Sequence, residues 1–126
     1  MTTKILLIDD RDIRLSVEKL LLEEAGFAVR TAHSLRQFDA VLTSWTPDLI
    51  LTDVDMPDVS GPELCRHIRA QAAARHLLAP LVLLASLSEA ELEPLALRCG
   101  ADAWLCRNDS LDALPERVSR LCQAIS

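Results

Sequence analysis

Runs of unbroken apolar residues alternate along this chain with stretches in which apolar residues recur every three or four positions. The short runs at 4–8, 27–31, 48–52, 80–85 and 103–106 read as β-strands, those at 4–8 and 48–52 as buried ones. Between the first two, Ile13, Val17, Leu20, Leu21 and Ala25 repeat at helical spacing over 12–25, and Gly26 follows as a helix stop. Three further helices start at polar pairs suited to capping: Ser34 with Gln37, Ser60 with Glu63, and Ser88 with Glu91. Their apolar positions are Leu35, Phe38, Leu42 and Trp45, then Leu64 and Ile68, then Leu92, Leu95, Ala96 and Cys99. Pro47 ends the first of the three and Gly100 the last. Leu111, Leu114, Val118, Leu121 and Ile125 stripe a final helix.

Five strands alternating with five helices predict an α/β fold, a parallel sheet covered on both faces and joined by right-handed crossovers. The flavodoxin-like order 2-1-3-4-5, a three-layer α/β/α sandwich, sets the first and third strands side by side. Those two strands end in acids: Asp9-Asp10 follows Ile5-Leu6-Leu7-Ile8, and Asp53 follows Leu49-Ile50-Leu51-Thr52. In an open parallel sheet the carboxyl ends of the strands form the ligand crevice, so three carboxylates would share one pocket. Acids that close repel one another unless a cation or protons neutralise them. Hard oxygen ligands with room for water suit Mg²⁺, and an aspartate beside that ion can attack phosphorus.

The 126 residues suffice for one domain with a real core, and the expectation is a single domain over residues 1–126. A formal charge of -6 argues against nucleic acid as a direct partner, because phosphate backbones demand basic surface. No apolar stretch approaches the roughly 20 residues of a membrane span, and the N-terminus lacks the layout of a signal peptide. Cys65, Cys99, Cys106 and Cys122 are scattered without a CxxC pair and read as small buried residues of a reduced, cytoplasmic protein. His33, His67 and His76 have neither paired carboxylates nor metal spacing in the sequence, and no chemistry is assigned to them.

Taken together, Ile8-Asp9-Asp10, the segment Leu51-Thr52-Asp53-Val54-Asp55-Met56-Pro57, Ser60-Gly61-Pro62-Glu63-Leu64, and Cys99-Gly100-Ala101-Asp102-Ala103-Trp104-Leu105 resemble the receiver domain of bacterial response regulators over essentially the whole chain. The resemblance implies two-component signalling. Asp53 is then the phosphoacceptor, supplied by a histidine kinase or a phosphotransfer protein. Asp10 and Asp53 would ligate Mg²⁺ together with the backbone carbonyl of Asp55, while Asp9 acts through a water. Such a domain signals by binding a partner and is not an enzyme; its fourth helix, fifth strand and fifth helix serve homodimers or effectors. Leu97 and Trp104 are the apolar candidates on that face.

Three positions depart from the family. Ala85 stands where a Ser or Thr hydroxyl would hold a phosphoryl oxygen. The adjacent Ser86 would face the other way unless a bulge intervened. Arg107-Asn108 replaces a lysine and a following cis-proline. Arginine keeps the charge with a larger planar head, and a cis bond without proline would cost about 3 kcal/mol. With Ala85 beneath it, Trp104 would lack the hydroxyl that triggers its inward rotation. Asp55, one more acid at the pocket rim, could orient a water or meet Arg107. A pseudo-receiver that binds partners regardless of phosphorylation is therefore the alternative reading. Asp53-Val54-Asp55 also resembles the Asp-x-Asp of haloacid-dehalogenase phosphatases, but there the motif ends the first strand.

Overall fold

The computed structural model describes residues 2–107 and 111–125. Its strands are β1 (Lys4–Ile8), β2 (Ala28–Ala32), β3 (Leu49–Thr52), β4 (Leu81–Ala85) and β5 (Ala103–Cys106). The helices between and after them are α1 (Asp12–Glu24), α2 (Leu35–Leu42), α3 (Gly61–Ala74), α4 (Glu89–Cys99) and α5 (Leu114–Ile125), the last preceded by one 3-10 turn at Leu111–Ala113. All strand pairs are parallel, as the alternating pattern predicts, and they stand in the flavodoxin-like order β2-β1-β3-β4-β5.

Because side chains alternate along a strand, each unbroken apolar run serves two cores. Ile5, Leu7, Leu49, Leu51, Val82 and Leu84 pack under α1 and α5, against Leu15, Leu22, Leu114 and Val118. Leu6, Ile8, Ile50, Leu81 and Leu83 face the other way, against Phe38, Leu64, Ile68, Leu92 and Ala96 of α2, α3 and α4. Burying each such side chain contributes roughly 1.5–3 kcal/mol.

The helix starts follow the polar pairs. Ser60 Oγ accepts from the Glu63 N–H and donates to Glu63 Oε1 at 3.0 Å. Ser88 and Glu91 form a complete capping box, and Gly100, at φ 67°, closes α4 in the left-handed region. At α2 the Ser34 hydroxyl caps Gln37, but the Gln37 side chain accepts from the backbone N–H of His33, one residue before the expected donor.

Three expectations need correction. The buried face of α1 is Leu15, Glu18 and Leu22, whereas Ile13 is 84% exposed and Val17 and Leu20 also face solvent. An acid occupies a core position on that helix, so counting apolar residues selected the wrong stripe. Helix α2 stops at Leu42, five residues before Pro47, and Trp45 lies beyond it with the Arg30 guanidinium 5.2 Å from its ring centroid. Two histidines do meet carboxylates: His33 Nδ1 lies 2.5 Å from Asp12 Oδ1, and His67 Nε2 lies 2.8 Å from Asp39 Oδ1. Both pairs join residues distant in sequence, which spacing could not reveal.

Candidate functional site

The register of β1 on β3 sets Ile8 opposite Thr52, so the residues that follow, Asp9 and Asp53, emerge side by side. The Asp53 N–H donates to the Ile8 carbonyl at 2.8 Å and fixes that alignment. One carboxylate oxygen from each of Asp9, Asp10 and Asp53 lies within 4.8 Å of the others. At the neighbouring strand ends, Ala85 pairs with Cys106, and the N–H of Arg107 donates to the Ala85 carbonyl at 2.7 Å. That bond delivers the Arg107 side chain to the same crevice.

Asp9 is fully buried and richly supplied with donors. Its Oδ1 accepts from the Arg11 N–H at 3.1 Å and from Arg14 Nη2 at 3.0 Å; its Oδ2 accepts from Arg14 Nε at 2.6 Å and Arg107 Nη2 at 3.0 Å. Asp53 Oδ1 accepts from Arg107 Nη1 at 2.8 Å, and its Oδ2 from Arg14 Nη2 at 3.2 Å. Arg107 is in turn anchored by Glu18, whose two carboxylate oxygens accept at 3.1 and 3.2 Å, and by the Leu84 carbonyl at 2.8 Å. Such forked pairing suits a guanidinium and not an ammonium.

These contacts set the protonation preferences. Burial works to raise the Asp9 carboxyl, but the Arg14 and Arg11 hydrogen bonds and the charges of Arg107 and Arg14 carry it below its ordinary value. Asp53 moves the other way: burial, aided by repulsion from Asp9, outweighs the pull of Arg107 and Arg14 and raises it. The hydrogen bond to Asp9 raises Arg14 further, against the effect of its burial, so Arg14 stays charged.

A metal fits the remaining chemistry. Asp10 Oδ1 is buried with no hydrogen-bond partner among the described residues, and it belongs to a cluster offering only hard oxygens. Asp10 and Asp53 could ligate a divalent cation directly. Asp9, already saturated by donors, suits an outer role.

The departures predicted from sequence have a clear geometry. Ala85 is buried and continues the regular β4–β5 register, so no bulge turns Ser86 into its place; Ser86 is exposed on the wall of a cleft of about 410 Å³ above Asp53. Trp104 stands opposite Leu83 and is half-buried against the α2–α4 core. The Asp55 side chain is 87% exposed and sits 3.9 Å from Arg11, not Arg107. Asn108, and with it the expected shape of the loop after Arg107, lies outside the described residues. Sequence reasoning missed Arg14 and Glu18. The one available signal was Glu18 falling in helical phase with Leu15 and Leu22.

A 2-1-3-4-5 parallel sheet with acids gathered at the tips of its first and third strands is the plan of a signal-receiving domain. The family model described as the response regulator receiver domain matches residues 5–119, and the chain belongs to that family. It is 32% identical over 97% of its length to protein RcaC of Microchaete diplosiphon, and covers 18% of that protein. It is 30% identical over 99% of its length to the alkaline phosphatase synthesis transcriptional regulatory protein PhoP of Bacillus subtilis, covering 49% of it. The chain thus spans half or less of the length of these curated relatives. Among solved structures, a two-component response regulator from Clostridium difficile superposes with a TM-score of 0.81 at 26% identity, covering 99% of each chain. Receiver domains are signalling modules, and among the described residues no helix is long and apolar enough to cross a membrane.

Proposed function

We propose that this domain accepts a phosphoryl group on Asp53 in a Mg²⁺-dependent reaction and signals through partner binding. The observation that carries this reading is the position of Asp53: nearly buried, abutting Asp9 across the β1–β3 pair, with Arg107 Nη1 2.8 Å from one oxygen. An Asp53 oxygen attacks the phosphorus of a phosphohistidine on a kinase or phosphotransfer protein. The new O–P bond forms as the N–P bond breaks, and the electron pair returns to the imidazole nitrogen. The bound cation would supply neutralisation of the acids and of the transferring phosphoryl oxygens. Arg107, fixed by Glu18 and the Leu84 carbonyl, supplies a preorganised donor at the same place. Ala85 supplies none.

One observation favours the pseudo-receiver as a second reading: both Asp53 oxygens are already held by arginines. The phosphatase reading has less support, since Asp53-Val54-Asp55 follows the third strand and Asp55 turns outward. The face of α4, β5 and α5, where Leu97 is exposed, is the proposed surface for a second copy or an effector. Incubation with radiolabelled acetyl phosphate and Mg²⁺ tests the first reading. Label retained by the wild type and absent from Asp53→Asn supports it. An unlabelled wild type whose partner binding is unchanged by Asp53→Asn establishes the second.

A further inference from the structure

Two guanidiniums enter the acid cluster, and they are held very differently. Arg107 is 6% exposed and anchored from behind by Glu18 and the Leu84 carbonyl. Among the described residues, the side-chain bonds of Arg14 run only to the acids themselves, Asp9 and Asp53, and its side chain is 22% exposed on the wall of the cleft above Asp53. Arg107 belongs to the framework; Arg14 has a way out.

We propose that Arg14 is a displaceable resident counter-ion, which pairs with Asp9 and Asp53 until a divalent cation takes Asp10 and Asp53, and which turns out into the cleft when it does. This deepens, and rests on, the metal-binding part of the reading above. When ionised, Asp9, Asp10, Asp53 and Glu18 carry four negative charges against the two positive charges of Arg14 and Arg107. The two charges left over draw a divalent cation, but a guanidinium 3.2 Å from Asp53 Oδ2 repels it from that ligand. Arg14 cannot yield by losing its proton, because arginine stays charged in proteins. It yields by moving. Its stem is long and flexible, and the cleft of about 410 Å³ beside it is also lined by Asp55, an exposed carboxylate 3.9 Å from Arg11. The same movement takes the Arg14 hydrogen bond off the Asp53 carboxylate. Arg14 thereby couples metal arrival to exposure of the nucleophile, a positioning role that no hydroxyl at position 85 performs here.

Calorimetric titration of the full chain with MgCl₂ at fixed ionic strength tests this, comparing wild type with Arg14→Leu, Arg14→Gln and Arg14→Lys. Both neutral variants are expected to bind Mg²⁺ about tenfold more tightly or better, since a competing unit charge within ~5 Å is gone. The lysine variant, which keeps that charge, stays closer to wild type. Mg²⁺ affinity unchanged or weaker in both neutral variants overturns the proposal, as does an absence of binding in every protein. Circular dichroism confirms that at least one neutral variant is folded. No phosphoryl donor enters the titration, so the two readings fail separately. Tighter Mg²⁺ binding in a protein that takes no label removes only phosphoacceptance, whereas labelling of Asp53 with affinity indifferent to residue 14 removes only the counter-ion.

Discussion

Glu18 and Arg107, 89 residues apart in sequence, face each other through two hydrogen bonds of 3.1 and 3.2 Å inside the protein. Glu18 is fully buried, so this pair fastens α1 to the end of β5 directly beneath the acid cluster. Without Glu18, Arg107 would retain, among the described residues, only Asp9, Asp53 and the Leu84 carbonyl as side-chain partners, and its aim at Asp53 would loosen.

Breaking a buried pair from one side costs about 3–5 kcal/mol when the other charge is left alone, but Arg107 keeps Asp9 and Asp53. Glu18→Leu is therefore expected to lower stability by less, about 1–3 kcal/mol for the unmet buried donors, in urea unfolding. The double variant Glu18→Leu with Arg107→Met should lose less than the two single variants together, although Arg107→Met also takes a donor from Asp9 and Asp53. If the double variant is as unstable as the sum of the singles, the two residues do not act as a unit.

Acid titration of the metal-free protein separates Asp9 from Asp53. Asp9 is depressed in the fold, so its contribution is present above 3.8 and fades as the pH falls through its lower folded value. Asp53 is raised, so its contribution is full below 3.8 and is lost as the pH rises through its higher folded value. Asp9→Asn should flatten the acid limb of stability against pH. Asp53→Asn should raise stability near neutral pH and converge with wild type in acid. Urea midpoints between pH 3 and 7 in EDTA give both curves; parallel curves for all three proteins would refute the assignment.

Ala85 predicts a muted optical response. In a Trp45→Phe background, where Trp104 is the remaining fluorophore, beryllofluoride with Mg²⁺ should shift emission little. Adding Ala85→Thr restores a hydroxyl at the end of β4, and the shift should grow. The substitution enlarges a buried side chain and should cost about 1–3 kcal/mol. A full-sized shift with Ala85 in place would show that Trp104 responds without that hydroxyl.

The capping box at α4 gives a local prediction. Ser88→Ala removes the hydroxyl that accepts from the Glu91 N–H and should destabilise the domain by about 1 kcal/mol. Faster amide exchange confined to the first turn of α4 would accompany it.

How far the residues alone reveal this protein depends on the range of the interaction. The strands were legible because both faces of a parallel sheet are apolar, and the Ser60 and Ser88 caps because their partners lie three residues away. Asp9 and Asp53 could be joined once the strand order was assumed. Glu18 could not, because a buried acid imitates a surface residue until its partner is found, and its partner follows β5. Arg14 was hidden for the same reason: four residues beyond Asp10 it reads as the solvated side of a helix. The end of α2 was misjudged because Pro47 marks the last point at which a helix can continue, and this one stops earlier.

The interlock of residues 18 and 107 also constrains the lineage of this chain. A lysine at 107 arriving first would serve only part of the Glu18 fork, and an apolar residue at 18 arriving first would leave Arg107 with unmet donors behind the acid cluster. Either single step leaves part of the pair unmet. Substitutions at 18 and 107 are thus coupled, and a lysine version of this pocket is best served when both positions change together.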